Sequence, residues 1–185
     1  MRFKSISLII ACAVFFMILF SSAVFAGRRI GDCNDDANVN VGDVVYLINY
    51  LYKGGDAPFP KCVGDCNVDC NVNVGDVVFL VNYLYKLGDV PGTPSGGSQK
   101  GMVYGYITYT HLNGGVPGAS VWSSASPCNT FSEPLDSNCQ SLYCLSYVEP
   151  GTQTINCQDL ADPNSPEVTG NVNVIAGELV QLDLA

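Results

Sequence analysis

Positive charge is what this chain has least of. Eight Lys and Arg stand against seventeen Asp and Glu in 185 residues, and no Lys or Arg follows Lys100. Nucleic acid and anionic membrane surfaces, which are held by clustered cations, are thereby excluded as expected partners. Histidine is nearly absent too: His111 stands alone, with no H-E-x-x-H pair, no G-x-S-x-G elbow and no phosphate-cradling glycine loop. Glu133, Asp136 and Glu149 offer a carboxylate pair in principle, but nothing around them builds a cleft, and they read as solvated loop charges. The expectation is a protein that is not an enzyme. Long apolar runs are also missing, except at the start. There Arg2 and Lys4 precede the run from Ile6 to Phe20, and SSAVFA closes it with small residues. The run falls short of the roughly 20 residues of a membrane span and has the three-part layout of a secretory signal peptide, residues 1–26, cut after Ala26. A secreted or cell-surface protein with no membrane insertion after cleavage follows as an expectation.

What remains is rich in cysteine for its size. Cys12 lies in the signal segment, and the other eight fall as Cys33, Cys62, Cys66 and Cys70, then Cys128, Cys139, Cys144 and Cys157. An even count in an exported chain of small domains points to disulfides. Each set of four allows three connectivities, among which the sequence does not choose. Zinc is disfavoured at CVGDCNVDC, which lacks paired C-x-x-C knuckles and histidines. Between the sets, GDVPGTPSGGSQK (88–100) replaces periodic apolar residues with Gly, Pro and Ser, the composition of a linker. It divides a module at 27–90, with 91–100 as linker, from a region at 101–185.

The first module repeats itself. GDCNDDANVNVGD at 31–43 returns as GDCNVDCNVNVGD at 64–76. Counted from Asp32, positions 1, 3, 5, 7, 9 and 12 are Asp32, Asn34, Asp36, Asn38, Asn40 and Asp43; counted from Asp65 they are Asp65, Asn67, Asp69, Asn71, Asn73 and Asp76. That is the ligand spacing of a twelve-residue calcium loop, with a backbone carbonyl at position 7. Three carboxylates at the ligand positions of twelve residues repel one another unless a divalent cation compensates them. Asp and Asn also crowd ordinary turns, but two copies in register favour metal. The expected cofactor is two Ca2+.

Each loop runs into an apolar helix, VVYLINYLYK at 44–53 and VVFLVNYLYK at 77–86. Val44, Leu47, Ile48 and Leu51, and Val77, Leu80, Val81 and Leu84, recur at helical spacing and are expected to pack face to face as a small core. No helix precedes either loop by this reading, since only Gly27 to Gly31 and PFPKCVG are available. A duplicated calcium loop with only the exiting helix, marked by the paired NVNVGDVV phrases, resembles the dockerin domain. That resemblance implies a calcium-folded module docking onto a cohesin-like domain of another protein.

Some residues depart from that pattern. Position 6, where such loops prefer glycine, holds Ala37 and Cys70; positions 10 and 11 hold Val41 and Gly42, then Val74 and Gly75; and Ile48, Asn49, Val81 and Asn82 stand in place of a mid-helix basic pair. Tyr46, Asn49 and Tyr50, with Phe79, Asn82 and Tyr83, fall beside the apolar stripe and suit a partner surface. Tyr46 and Phe79 could equally finish the core.

After Gly101 the period changes to two, with Gly and Pro punctuation: GMVYGYITY, GASVWS, TINCQ and GNVNVIAGELVQLDLA. Such runs read as an all-β sandwich. Their order, with the GGVPGASV and VEPGTQTI turns, resembles the carboxypeptidase regulatory-like, transthyretin-like family, which implies a presenting domain of immunoglobulin-like architecture. Residues 123–144, longer than such a turn needs, are expected as a disulfide-pinned surface loop, and Trp122 as core. The fold class is thus multidomain: a small all-α calcium-loop module followed by an all-β sandwich.

Overall fold

The computed structural model describes residues 28–109, 114–124, 126–134, 140–162 and 164–185. The signal segment, His111, Asp136 and Cys139 lie outside them. Among the described residues, two α-helices and two four-stranded sheets make a β-rich fold.

The helices are α1 (Val41–Lys53) and α2 (Val74–Lys86). Both begin three residues before the apolar periodicity does, because each opens in a capping box. Asn40 Oδ1 accepts the Gly42 N–H while the Asp43 carboxylate accepts the Asn40 N–H, and Asn73 and Asp76 repeat the arrangement. Leu47 and Leu80, both fully buried, form the helix–helix core with Val44, Val77, Cys33 and Cys66. The stretch before the second loop takes one short 3-10 turn, Lys61–Gly64.

Eight strands follow: β1 (Gly101–Tyr109), β2 (Gly114–Gly115), β3 (Ser120–Trp122), β4 (Thr130–Phe131), β5 (Ser141–Val148), β6 (Gly151–Gln158), β7 (Val168–Val174) and β8 (Leu179–Gln181). In one sheet β1 pairs antiparallel with β2 and β5 and parallel with β8; the other runs β4-β3-β6-β7. Val103, Tyr143 and Leu145 from the first sheet meet Val121, Ile155 and Val174 from the second, which is the core of a sandwich. Gly105 is required where it stands, since a Cβ there would collide with the Leu182 carbonyl.

The segment 123–144 is not simply a surface loop. It carries β4 and the start of β5, where Ser141, Leu142 and Tyr143 are all buried. A strand covered on both faces shows no alternation of apolar and polar residues, so period-two reasoning passes over it. Trp122 is half-buried rather than in the core.

The expectation that disulfides stay confined to each set of four cysteines is overturned as well. Cys62–Cys144 and Cys70–Cys128 join one set to the other. Spacing along the chain carries no information about which surfaces meet. Around the Cys62–Cys144 bond, Ile30, Val63 and Val68 pack with Met102 and Leu179 in one shared cluster. The Ile30 N–H donates to the Gly177 carbonyl and the Leu179 N–H to that of Arg28. Residues 91–100 fold back: Gly92 donates to the Cys66 carbonyl and Lys100 to that of Gly92, with Pro91, Thr93 and Lys100 buried. Two such disulfides suit an oxidising, extracellular environment. No helix among the described residues is long and apolar enough to cross a membrane.

Lys100 makes this junction testable. Its ammonium lies 2.6 Å from Glu149 Oε1, 3.3 Å from Ser98 Oγ and 5.3 Å from the centre of the Tyr147 ring. Glu149→Ala would strand a buried cation. The expected loss is about 2 kcal/mol in urea denaturation, less than for a fully buried pair because Glu149 is half-exposed. Lys100→Met, which keeps the apolar stem and removes the charge, is expected to cost less.

Candidate metal-binding loops

The two loops follow the same backbone path. Asp32 accepts the N–H groups of Asp36 (3.0 Å) and Ala37 (2.9 Å); Asp65 accepts those of Asp69 (3.0 Å) and Cys70 (3.0 Å). At position 12, Asp43 accepts from Cys33, Asn34 and Asn40, and Asp76 from Cys66, Asn67 and Asn73. Asp36 and Asp69 turn outward, each accepting from the side-chain amide of the Asn two residues earlier and from the backbone N–H two residues later.

Position 6 keeps its turn without glycine. Ala37 (φ 65°) and Cys70 (φ 74°) both adopt the left-handed conformation, as do Asp35 (φ 59°) and Val68 (φ 51°) at position 4. Each such non-glycine residue costs on the order of 1 kcal/mol. The departure from glycine therefore stores strain in the loop rather than rerouting it.

Four of the carboxylates are buried. Asp43 and Asp76 are 0% exposed, Asp65 1% and Asp32 7%. Burial pushes the Asp65 carboxyl up to about 7 and that of Asp76 up to about 6, against the lowering pull of their hydrogen bonds, and raises Asp32 as well. Among the described residues the ion pairs are Arg28–Asp35 and Lys100–Glu149, so none of these four has a cationic side chain beside it. Buried carboxylates left uncompensated are the reverse of what folding tolerates.

The donor set fits a hard divalent cation: carboxylates from Asp32, Asp36 and Asp43, amide oxygen from Asn34 and Asn40, and the backbone carbonyl of Asn38, with Asp65, Asn67, Asp69, Asn71, Asn73 and Asp76 as their counterparts. Among the described residues no group of three or more His, Cys, Asp and Glu gathers as a metal-holding cluster; by the loop pattern, half the donors are asparagine or backbone. Asn40 and Asn73 carry a second duty that the spacing did not reveal, since their Oδ1 atoms cap α1 and α2.

The loops differ in what surrounds them. The first faces solvent, whereas the second is pinned to the sheet. Cys70 at its position 6 is bonded to Cys128, Cys62 just before it to Cys144, and Asp65 lines one cleft with Ser146. A bulge in β5 aims Ser146 there: pairing jumps from Gly101–Val148 to Val103–Leu145, with Tyr147 left-handed at φ 58°. Between this loop and the sheet edge lies a cleft of about 580 Å³, lined among others by Asp65, Asn73, Phe131 and Glu133.

The residues singled out as a partner surface divide. Tyr46 and Phe79 pack against the helix core. Asn49 and Asn82 use their backbone carbonyls to accept the N–H groups of Gly55 and Gly88 at the helix ends, while Tyr50 and Tyr83 are half-buried beside the core. A different set stands in the open. Val41, Val45 and Tyr52 on α1 are 53%, 51% and 65% exposed, and Val74, Val78 and Tyr85 on α2 are 52%, 54% and 67% exposed. Steps of four and seven residues put each trio on one line of its helix. The signal was present in the sequence, as helices carrying more apolar residues than one buried face can use.

No protein-family model matches the chain, and no curated protein matches it.

Proposed function

We propose that the chain is an exported, non-catalytic adaptor whose two loops each hold a structural calcium ion and whose helices dock, in the manner of a dockerin, onto a cohesin-like domain of another protein. The sandwich, of the carboxypeptidase regulatory-like kind, is the part so displayed. The observation that carries the reading is the repeated set of buried aspartates with no cationic side chain beside them, at calcium-loop spacing. Calcium bound there turns binding free energy into folding free energy and fixes the helices on which the exposed trios stand. Because both helices present the same trio, a partner can be engaged through either.

The test is binding of a recombinant cohesin domain from the same source to the mature chain, by calorimetry, with calcium and with chelator. Calcium-dependent binding is expected, retained in Val45→Asp or Val78→Asp alone and weakened at least a hundredfold when both are changed. Binding indifferent to calcium and to the double change would sink the docking claim. A second reading, a calcium-stabilised structural or adhesive surface protein with no cohesin partner, is favoured by one observation: the repeats share a core and two disulfides with the sheets.

A further inference from the structure

Two thiols face each other at the centre of the repeat. Cys33 and Cys66 occupy position 2 of their respective loops, 3% and 0% exposed, inside the helix–helix core. Their side chains lie beside one another in that core, and the Cys66 thiol reaches the Gly64 carbonyl at 3.4 Å. The other cysteines nearby are already committed: Cys62 and Cys70, flanking Cys66 on either side, are bonded to Cys144 and Cys128. Two thiols in one buried cluster, in a chain whose neighbouring cysteines are oxidised, are one exchange step from a bond.

We propose that Cys33 and Cys66 are a third disulfide site, closed during export, that clamps the two loops together. The step is thiol–disulfide exchange with a disulfide oxidant of the export compartment, whether protein or small molecule. One thiolate attacks a sulfur of the oxidant and displaces its first thiolate, giving a mixed disulfide. The second cysteine then displaces the oxidant's other sulfur. Two S–H bonds are lost and one S–S bond forms; the oxidant takes up both electrons and both protons and leaves as two thiols.

Burial sets the timing. In the folded protein neither sulfur is open to an oxidant, so exchange precedes closure of the helix pair; afterwards the same burial shields the bond from reductants. The bond also reaches the position-12 carboxylates, because the backbone N–H of Cys33 donates to Asp43 at 2.7 Å and that of Cys66 to Asp76. Locking position 2 of one loop to position 2 of the other therefore holds both carboxylates in one frame. The inference does not depend on the calcium reading.

The experiment takes the full mature chain, secreted and purified without reductant, alkylates it with iodoacetamide in denaturant, and digests it with trypsin and an endoprotease that cuts before aspartate. Such cleavage isolates Cys33 in residues 32–34 and Cys66 in residues 65–68, each as the only cysteine of its peptide. The expected result is one species with the mass of the two peptides joined, without alkylation, that separates on reduction. Recovery of both peptides singly alkylated would overturn the proposal, as would either peptide joined to a cysteine other than its counterpart.

Discussion

Replacing Asp76 by alanine is expected, on the calcium reading proposed above, to remove one of the two ions and to destabilise the folded chain by about 3 kcal/mol or more. Asp76 is fully buried and accepts three backbone N–H groups, from Cys66, Asn67 and Asn73, the last closing the capping box of α2. Its loss leaves those donors unsatisfied, at about 1 kcal/mol or more each. Asp43→Ala should behave alike, with Cys33, Asn34 and Asn40 as the orphaned donors. Thermal melts followed by circular dichroism, run in calcium and in chelator, separate the two contributions. The hydrogen-bond part persists in chelator. The metal part, the gain in stability on adding calcium, should shrink in each single variant and vanish in the double.

The second large effect concerns the two cross-links. Cys62–Cys144 spans 82 residues and Cys70–Cys128 spans 58. On the chain-entropy account, loops of that size confer about 4 kcal/mol of stability each. Changing both pairs to serine is expected to lower the denaturation midpoint sharply and to split one calorimetric transition into two, with the helix pair melting first. The reason is the smallness of its own core, which centres on Leu47 and Leu80, too little apolar burial to stand without metal or covalent support. A single transition shifted by only a degree or two would mean that the cluster around Ile30, Val63 and Met102 couples the halves unaided.

Local patterns were legible in the sequence, and encounters between distant segments were not. The repeat, the helices and the strands β1 and β6 follow from spacing and period, because each is decided by residues within a turn or two of one another. The three-residue extension of each helix was also within reach, since an Asn followed three residues later by an Asp is a capping pair; the calcium-loop spacing accounts for the same residues as ligands alone. β5 escaped because Ser141, Leu142 and Tyr143 are buried together, which erases the alternation. Cross-linking of the two cysteine sets escaped for a different reason. It depends on the second loop lying against β5, and only the folded chain brings Cys62 and Cys70 to Cys144 and Cys128.

The same distinction explains the partner surface. Helical periodicity correctly separates the stripe that packs inward, but it cannot tell which of two remaining apolar lines the neighbouring helix covers. Tyr46 and Phe79 were covered; Val45 and Val78 were left in the open.

Calorimetric titration of the mature chain with calcium, with circular dichroism before and after chelation, tests the central claim most directly. The account predicts about two ions bound per chain and helix signal that falls on chelation and returns with the metal. Full helicity with no heat of calcium binding would contradict it. The buried aspartates would then be held by backbone hydrogen bonds without metal, and the disulfides alone would keep the helices in place.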